Sequence, residues 1–169
     1  RAAGQSVAGS PYAITQGTLS AGSNYTLTFT PSTLSITPYA LSVTANPQTR
    51  VYGAADPTLT YSFGTLWYSD TPATVFSGEL TRAAGDTVAG SPYAITQGTL
   101  TSNSNYTISF TPSTLSITPA DLVIRAQDQT RGLGDPNPPF TFTFTTLLLG
   151  DTPASITGLS ATTTANTDS

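Results

Sequence analysis

Residues 104–119 read SNYTISFTPSTLSITP, and residues 23–38 read SNYTLTFTPSTLSITP. In the later stretch Tyr106, Ile108 and Phe110 alternate with Thr107 and Ser109, and after Pro112 an alternation resumes with Leu115 and Ile117. A period of two puts alternate side chains on one face of a strand. The residues used (Thr, Ile, Tyr, Phe) are those that suit a pleated, half-buried surface. Working outward, the same spacing recurs in Leu41, Val43 and Ala45, in Leu59, Tyr61 and Phe63, and in Phe140, Phe142 and Phe144. Pro and Gly clusters between these runs read as turns.

The second organising feature is repetition at an offset of 81 positions, as from Tyr25 to Tyr106. RAAGQSVAGSPYAITQGTL at residues 1–19 returns as RAAGDTVAGSPYAITQGTL at residues 82–100. YALSVTANPQTRVYGAADPTLTYSF from Tyr39 aligns without a gap, more loosely, on ADLVIRAQDQTRGLGDPNPPFTFTF from Ala120. Asp70, Thr71, Pro72 and Ala73 recur as Asp151, Thr152, Pro153 and Ala154. Repetition at a fixed period marks stacked modules. The expected division is the back half of a first module over residues 1–38, a complete second module over 39–119, and the front part of a third, divergent module over 120–169.

Each module is expected to be an all-β, β-sandwich-like (Ig-like) unit of about six or seven strands. The alternative is a β-grasp unit, a sheet wrapped on one helix. Only LWYSDTPATVF departs from the strand period, with Ser69 or Asp70 as cap and Pro72 at the start of a helical turn, where its missing N–H costs nothing. The junctions SITPYALSV and SITPADLVI leave almost no slack, and Pro38 and Pro119 restrict the chain further. A Gly/Ser tether would read very differently, so a stiff string of modules is expected.

Composition narrows the function. The chain has no His, Cys, Met or Lys, only 8% of residues are charged, and the net charge is −4. Arg1, Arg50, Arg82, Arg125 and Arg131 are scattered among acids rather than gathered into the basic stripe that nucleic acid requires. No stretch approaches the length of a membrane span, and no basic-then-apolar signal opens the sequence. Isopeptide cross-links need Lys, and thioesters and disulfides need Cys, so none of these stiffens the chain. The lack of Cys, Met and Lys beside abundant Thr, Ser, Gly and Ala favours an exported protein.

The order VYGAADPTLTYSF, LTRAAG, SPYAITQGTL and NYTISFTPSTLSITPA resembles the MBG repeat family, the mostly bacterial Ig-like repeats of the YGX and YDG kinds. The likeness covers nearly the whole chain. It implies large exported or cell-surface bacterial proteins, including haemagglutinin-like and biofilm adhesins, with tandem copies between an anchoring region and a distal functional part. The third copy departs from the pattern: Leu133 and Gly134 stand where the second has Tyr52 and Gly53, and LTRAAG has no counterpart after Ile156.

No catalytic, cofactor-binding or metal-ligating residue is assigned. Glycosidic hydrolysis needs two carboxyls across a cleft, whereas Asp56, Asp70, Glu79 and Asp86 read as residues of separate turns. Without His, the serines and threonines lack the usual activating base. Calcium asks for six or more oxygens, and Asp121, Asp128 and Asp135 near the second junction answer to Ala40, Pro47 and Ala54 in the preceding copy. The sequons at Asn24 and Asn105 read as polar residues entering strands. Trp67 and Tyr68 read as core or half-buried packing, with a carbohydrate-stacking platform as the alternative.

The function expected is a non-enzymatic rod or spacer that projects an adhesive region, with adjacent modules as partners. In the alternative, the modules themselves bind surface glycans, host proteins or like subunits. If residues 1–169 were a mature subunit, exposed Tyr12, Ile14, Tyr25 and Phe29 at one end would offer strand edges to the Phe140–Phe142–Phe144 end of another copy, giving a fibre.

Overall fold

The structure is a computed structural model and describes residues 6–165; Arg1, counted above among the scattered cations, lies outside them. The strands are β1 (Tyr12–Ile14), β2 (Ser32–Leu34), β3 (Tyr39–Ala45), β4 (Gln48–Val51), β5 (Tyr61–Phe63), β6 (Phe76–Ser77), β7 (Thr81–Arg82), β8 (Tyr93–Thr96), β9 (Thr101–Ser102), β10 (Tyr106–Thr111), β11 (Ser113–Thr118), β12 (Ile124–Ala126) and β13 (Phe142–Phe144). Among the described residues a single α-helix, α1 (Pro72–Val75), interrupts them, and a 3-10 turn follows at Pro153–Ser155. The protein is therefore all-β and sandwich-like, as expected. A four-residue helix gives a sheet nothing to wrap around, which disfavours the grasp arrangement.

Two long runs organise the centre of the chain. β3 and β10 pair in parallel from Tyr39↔Tyr106 to Thr44↔Thr111. Their continuations β4 and β11 pair in parallel from Gln48↔Leu115 to Val51↔Thr118. Between the two ladders each run passes a proline, Pro47 or Pro112, which has no N–H to give a ladder. The inward positions change phase there: 41, 43 and 45 are buried before Pro47 and Arg50 after it; Tyr106 is buried before Pro112, Leu115 and Ile117 after it. A one-residue shift turns a strand over. The runs thereby leave one sheet, ordered β10–β3–β5, and enter the second, ordered β4–β11–β8–β7. Nine short strands lie between Tyr39 and Thr118. Joined across their proline breaks they amount to the number the alternation suggests.

Leu41, Val43 and Ala45 of β3 meet Ile95 of β8 and Leu115 of β11, and Val75, Leu80, Leu100 and Tyr106 close the core. Leu41, Val43, Ile95 and Leu115 are fully buried, each contributing about 1.5–3 kcal/mol of transfer free energy. Leu59, Tyr61, Ile108 and Phe110 pack against this cluster from partly buried positions. Phe63 is 40% exposed at the sheet edge, where it stacks obliquely on Phe76 at 5.2 Å. The helical turn is capped by Thr71 rather than Ser69 or Asp70: Thr74 Oγ1 accepts from the Thr71 N–H at 2.9 Å, and Pro72 takes the first helical position.

Outside the centre the chain forms two hairpins. β1 pairs antiparallel with β2, and β12 with β13. Tyr12, which the fibre reading needs exposed, is buried: its hydroxyl donates to Ser6 O at 2.8 Å beneath the preceding loop. Ile14 is 38% and Tyr25 79% exposed.

Candidate functional site

Arg50 is the buried charged residue of the core, placed on β4 by the change of phase after Pro47. Its Nη2 reaches Asp86 Oδ1 at 2.6 Å and its Nε lies 2.8 Å from Asp56 Oδ1, the second contact being too bent for a hydrogen bond. Arg82, on β7, donates from Nε to Asp56 Oδ2 at 2.5 Å and from Nη2 to Asp86 Oδ1 at 3.0 Å. Each arginine thus bridges both acids and links the separate loops that carry Asp56 and Asp86. The bond from Arg82 holds the Asp56 carboxyl below the usual carboxylate range, with both guanidinium charges adding to the effect. The guanidiniums also tie down backbone, Arg50 Nη1 at Ala54 O (2.9 Å) and Arg82 Nη1 at Gly85 O (2.6 Å). The result is one pole of the central unit, in which the 52–54 turn and the 83–88 loop are fastened side by side.

This pole receives the chain beyond Pro119. Tyr52 Oη donates to Asp151 Oδ2 at 3.0 Å, across 99 residues. Gly53, at φ +81°, lies against Leu148: a Cβ there would sit 2.6 Å from Leu148 Cδ1. Partial desolvation, and after it the bond to Asp151, raises the Tyr52 pKa and keeps the phenol neutral. Tyr52, Val88, Pro119, Leu122, Leu148 and Asp151 line a groove of about 380 Å³ along this joint.

The opposite pole receives the chain before Pro38. Val7 N donates to Asn105 Oδ1 at 2.9 Å, across 98 residues. Val7, Ile36, Tyr39, Trp67, Asp70 and Tyr106 line a groove of about 200 Å³. Tyr106 Oη donates to Asp70 Oδ2 at 2.7 Å and accepts from Trp67 N at 2.9 Å. Desolvation, with the Asp70 bond, raises the Tyr106 pKa. Positions one repeat apart line the grooves at the two poles, although Asp70 accepts from Tyr106 of its own unit and Asp151 from Tyr52 across the joint. Val7 and Val88 line the two grooves on one side, Trp67 and Leu148, Asp70 and Asp151 on the other. The loops carrying the latter pairs share an uncommon backbone, with Tyr68 at φ 59° and Leu149 at φ 51°.

Other expectations resolve individually. Trp67 is 50% exposed and packs edge-to-face on Tyr39 at 5.8 Å, while Tyr68 is 78% exposed, so Tyr68 is neither core nor half-buried. A residue at a positive φ on a loop tip has no core to enter. Asn105 does precede a strand, as expected, but its side chain serves the joint, whereas Asn24 leads into chain without strand pairing. Asp121 lines the groove beyond Pro119, Asp128 is exposed, and Asp135 Oδ2 accepts from Gly132 N at 3.2 Å; among the described residues no three acids converge as metal ligands would. Glu79 meets Thr99 through its backbone. The joint residues were missed by sequence reasoning. Their signal was the return of Asp70, with Thr71, Pro72 and Ala73, as Asp151, Thr152, Pro153 and Ala154 in a loosely matching third copy.

Among the described residues no helix is long and apolar enough to cross a membrane. Comparison with curated proteins and with solved structures found no match. The description MBG domain (YGX type) matches residues 41–116 and again 122–169. Two consecutive matches covering most of the sequence show that this chain belongs to the MBG domain family of the YGX type.

Proposed function

We propose that the chain is a load-bearing spacer from the repeat region of an exported bacterial surface protein, with modules at residues 1–38, 39–119 and 120–169. One observation carries this reading. The first run of the central unit, β3 and β4, pairs in parallel with its last run, β10 and β11, so the chain enters at Tyr39 on one pole and leaves at Thr118 on the other. A pull along the chain then loads both ladders lengthwise. All their hydrogen bonds resist together, whereas a pull across a ladder opens them one by one. The backbone bonds Tyr39 N to Asn105 O (2.9 Å) and Tyr52 N to Thr118 O (2.8 Å) extend the ladders to both poles. A spacer needs that resistance and no ligand of its own, and it has no use for catalytic machinery.

The exposure of Trp67 and Tyr68 favours a second reading, in which this aromatic tip stacks on a glycan. The two are separated by small-angle scattering and a glycan array on residues 1–169. A spacer gives the profile of one elongated rigid particle and no saturable binding. Saturable binding abolished by Trp67→Ala establishes the glycan reading instead, and freely reorienting units defeat the rod.

A further inference from the structure

We propose that Tyr52 and Gly53 form a socket for the following module, selective for a loop that carries an apolar residue at the place of Leu148 and a carboxylate at the place of Asp151. The inference rests on the spacer reading and names the partner of its joint. Gly53 gives up its side-chain volume to Leu148, and no other residue leaves room there: even a Cβ meets Leu148 Cδ1, Cβ and Cγ within 3.2 Å. Its φ of +81° also suits glycine alone among common residues. Tyr52 supplies the polar half of the contact, a phenol donating to Asp151. The Arg50–Asp56–Arg82–Asp86 cluster stiffens the socket from behind by holding Ala54 O and Gly85 O.

The central unit carries both halves of such a joint at opposite poles. Its own loop, with Trp67 and Asp70 in the places of Leu148 and Asp151 and the same positive-φ turn, is the matching key, Asp70 keeping Oδ1 for a second donor while its Oδ2 accepts from Tyr106. A second copy of this unit is therefore the partner the socket fits, head to tail, which is an arrangement that propagates rather than closes. The third copy keeps the key and alters the socket. Leu133, 89% exposed, replaces the phenol donor, and among the described residues nothing lies within 4 Å of where a Cβ on Gly134 would sit. Its socket retains room for the apolar residue and has lost the means to read the carboxylate.

The test uses the full chain, whose lack of cysteine allows two spin labels at Thr107→Cys and Thr143→Cys, both exposed and on either side of the joint. The distance distribution should be a single narrow maximum. Leu148→Asp should replace it by the broad distribution of tethered units, and Tyr52→Phe, which deletes one oxygen and leaves the fold intact, should broaden it partway. Amide exchange at Ile95 and Leu115 should stay unchanged in both variants. If Leu148→Asp disrupts the third unit itself, the Tyr52→Phe result decides. A narrow maximum that survives the substitutions overturns the socket while leaving the stiff spacer standing; a broad distribution in the unsubstituted chain overturns both.

Discussion

In the hairpin β1–β2, Tyr12 faces Leu34 and Ile14 faces Ser32, just as Tyr93 faces Leu115 and Ile95 faces Ser113 between β8 and β11. The local details also match. Ser10 Oγ accepts from Ile36 N, and Ser91 Oγ from Ile117 N, both at 2.8 Å. The tyrosine hydroxyls are tethered alike, Tyr12 to Ser6 O and Tyr93 to Thr87 O. Yet Ile14 and Leu34 are each 38% exposed, while Ile95 and Leu115 are fully buried. The difference is non-local: β11 has β4 on its other side, and β3 with its sheet lies across the core from Ile95. Near-identical sequence sets the register of a hairpin, but burial needs strands from far along the chain.

Truncating matched residues should break this symmetry most visibly. Leu115→Ala leaves a cavity in the sealed core and should cost about 2–5 kcal/mol, whereas Leu34→Ala, at a site already open to water, should cost under about 1 kcal/mol. Chemical denaturation followed by amide exchange at each hairpin measures both. Equal costs would mean that the two copies are equally packed.

The cluster around Arg50 offers a second contrast, because Arg131, its counterpart one repeat later, is half-buried where Arg50 is buried, and its Nε donates at 2.8 Å to Asn137, which stands where the second copy has Asp56. Removing one partner of a buried ion pair costs about 3–5 kcal/mol, but here Asp56 and Asp86 are 39% and 56% exposed, so Arg50→Met should cost about 1–3 kcal/mol. Arg131→Met, at a half-buried site, should cost less. The Asp56 carboxyl is held low in the folded state and returns to its ordinary value on unfolding. Its stabilising contribution is therefore complete above the ordinary carboxylate pKa and is lost as pH falls through the depressed folded value. Denaturation midpoints measured from neutral to acid pH should show that loss in the parent and a smaller one in Asp56→Asn.

Glycines sharpen the comparison at smaller scale. Gly78 and Gly134 both have positive φ, at 81° and 85°, but a Cβ on Gly78 would meet Thr99 O at 2.2 Å and one on Gly134 meets nothing. Gly78→Ala should cost about 2–3 kcal/mol by forcing backbone apart, and Gly134→Ala about 1 kcal/mol from its dihedral alone. Thermal melts of the two variants provide the check.

The same contrast explains what the sequence disclosed. Leu41, Val43, Ala45, Leu115 and Ile117 declare their strands by alternation, and Pro72 its helical turn, because neighbours alone decide these features. Parallel pairing of Tyr39 with Tyr106 lies beyond any local pattern. The burial of Arg50 was hidden for a related reason: the phase change at Pro47 sends an apparently outward, charged position inward, where only the folded chain brings Asp56 and Asp86 to meet it. The joint was hidden most deeply, since Tyr52 and Asp151 sit in different repeats and each, alone, reads as an ordinary turn residue.

Force applied to the central unit along two directions tests the load-bearing ladder most directly. Attachment through Ala40→Cys and Thr118→Cys pulls the parallel strands past each other, whereas attachment through Ala40→Cys and Thr107→Cys pulls apart two residues that face each other across the ladder. Forced unfolding reads the barrier along the direction of pull rather than the equilibrium stability, which is the same in both cases. A spacer built on the β3–β10 and β4–β11 ladders should yield at markedly higher force in the first geometry than in the second. Equal forces in the two geometries would contradict it.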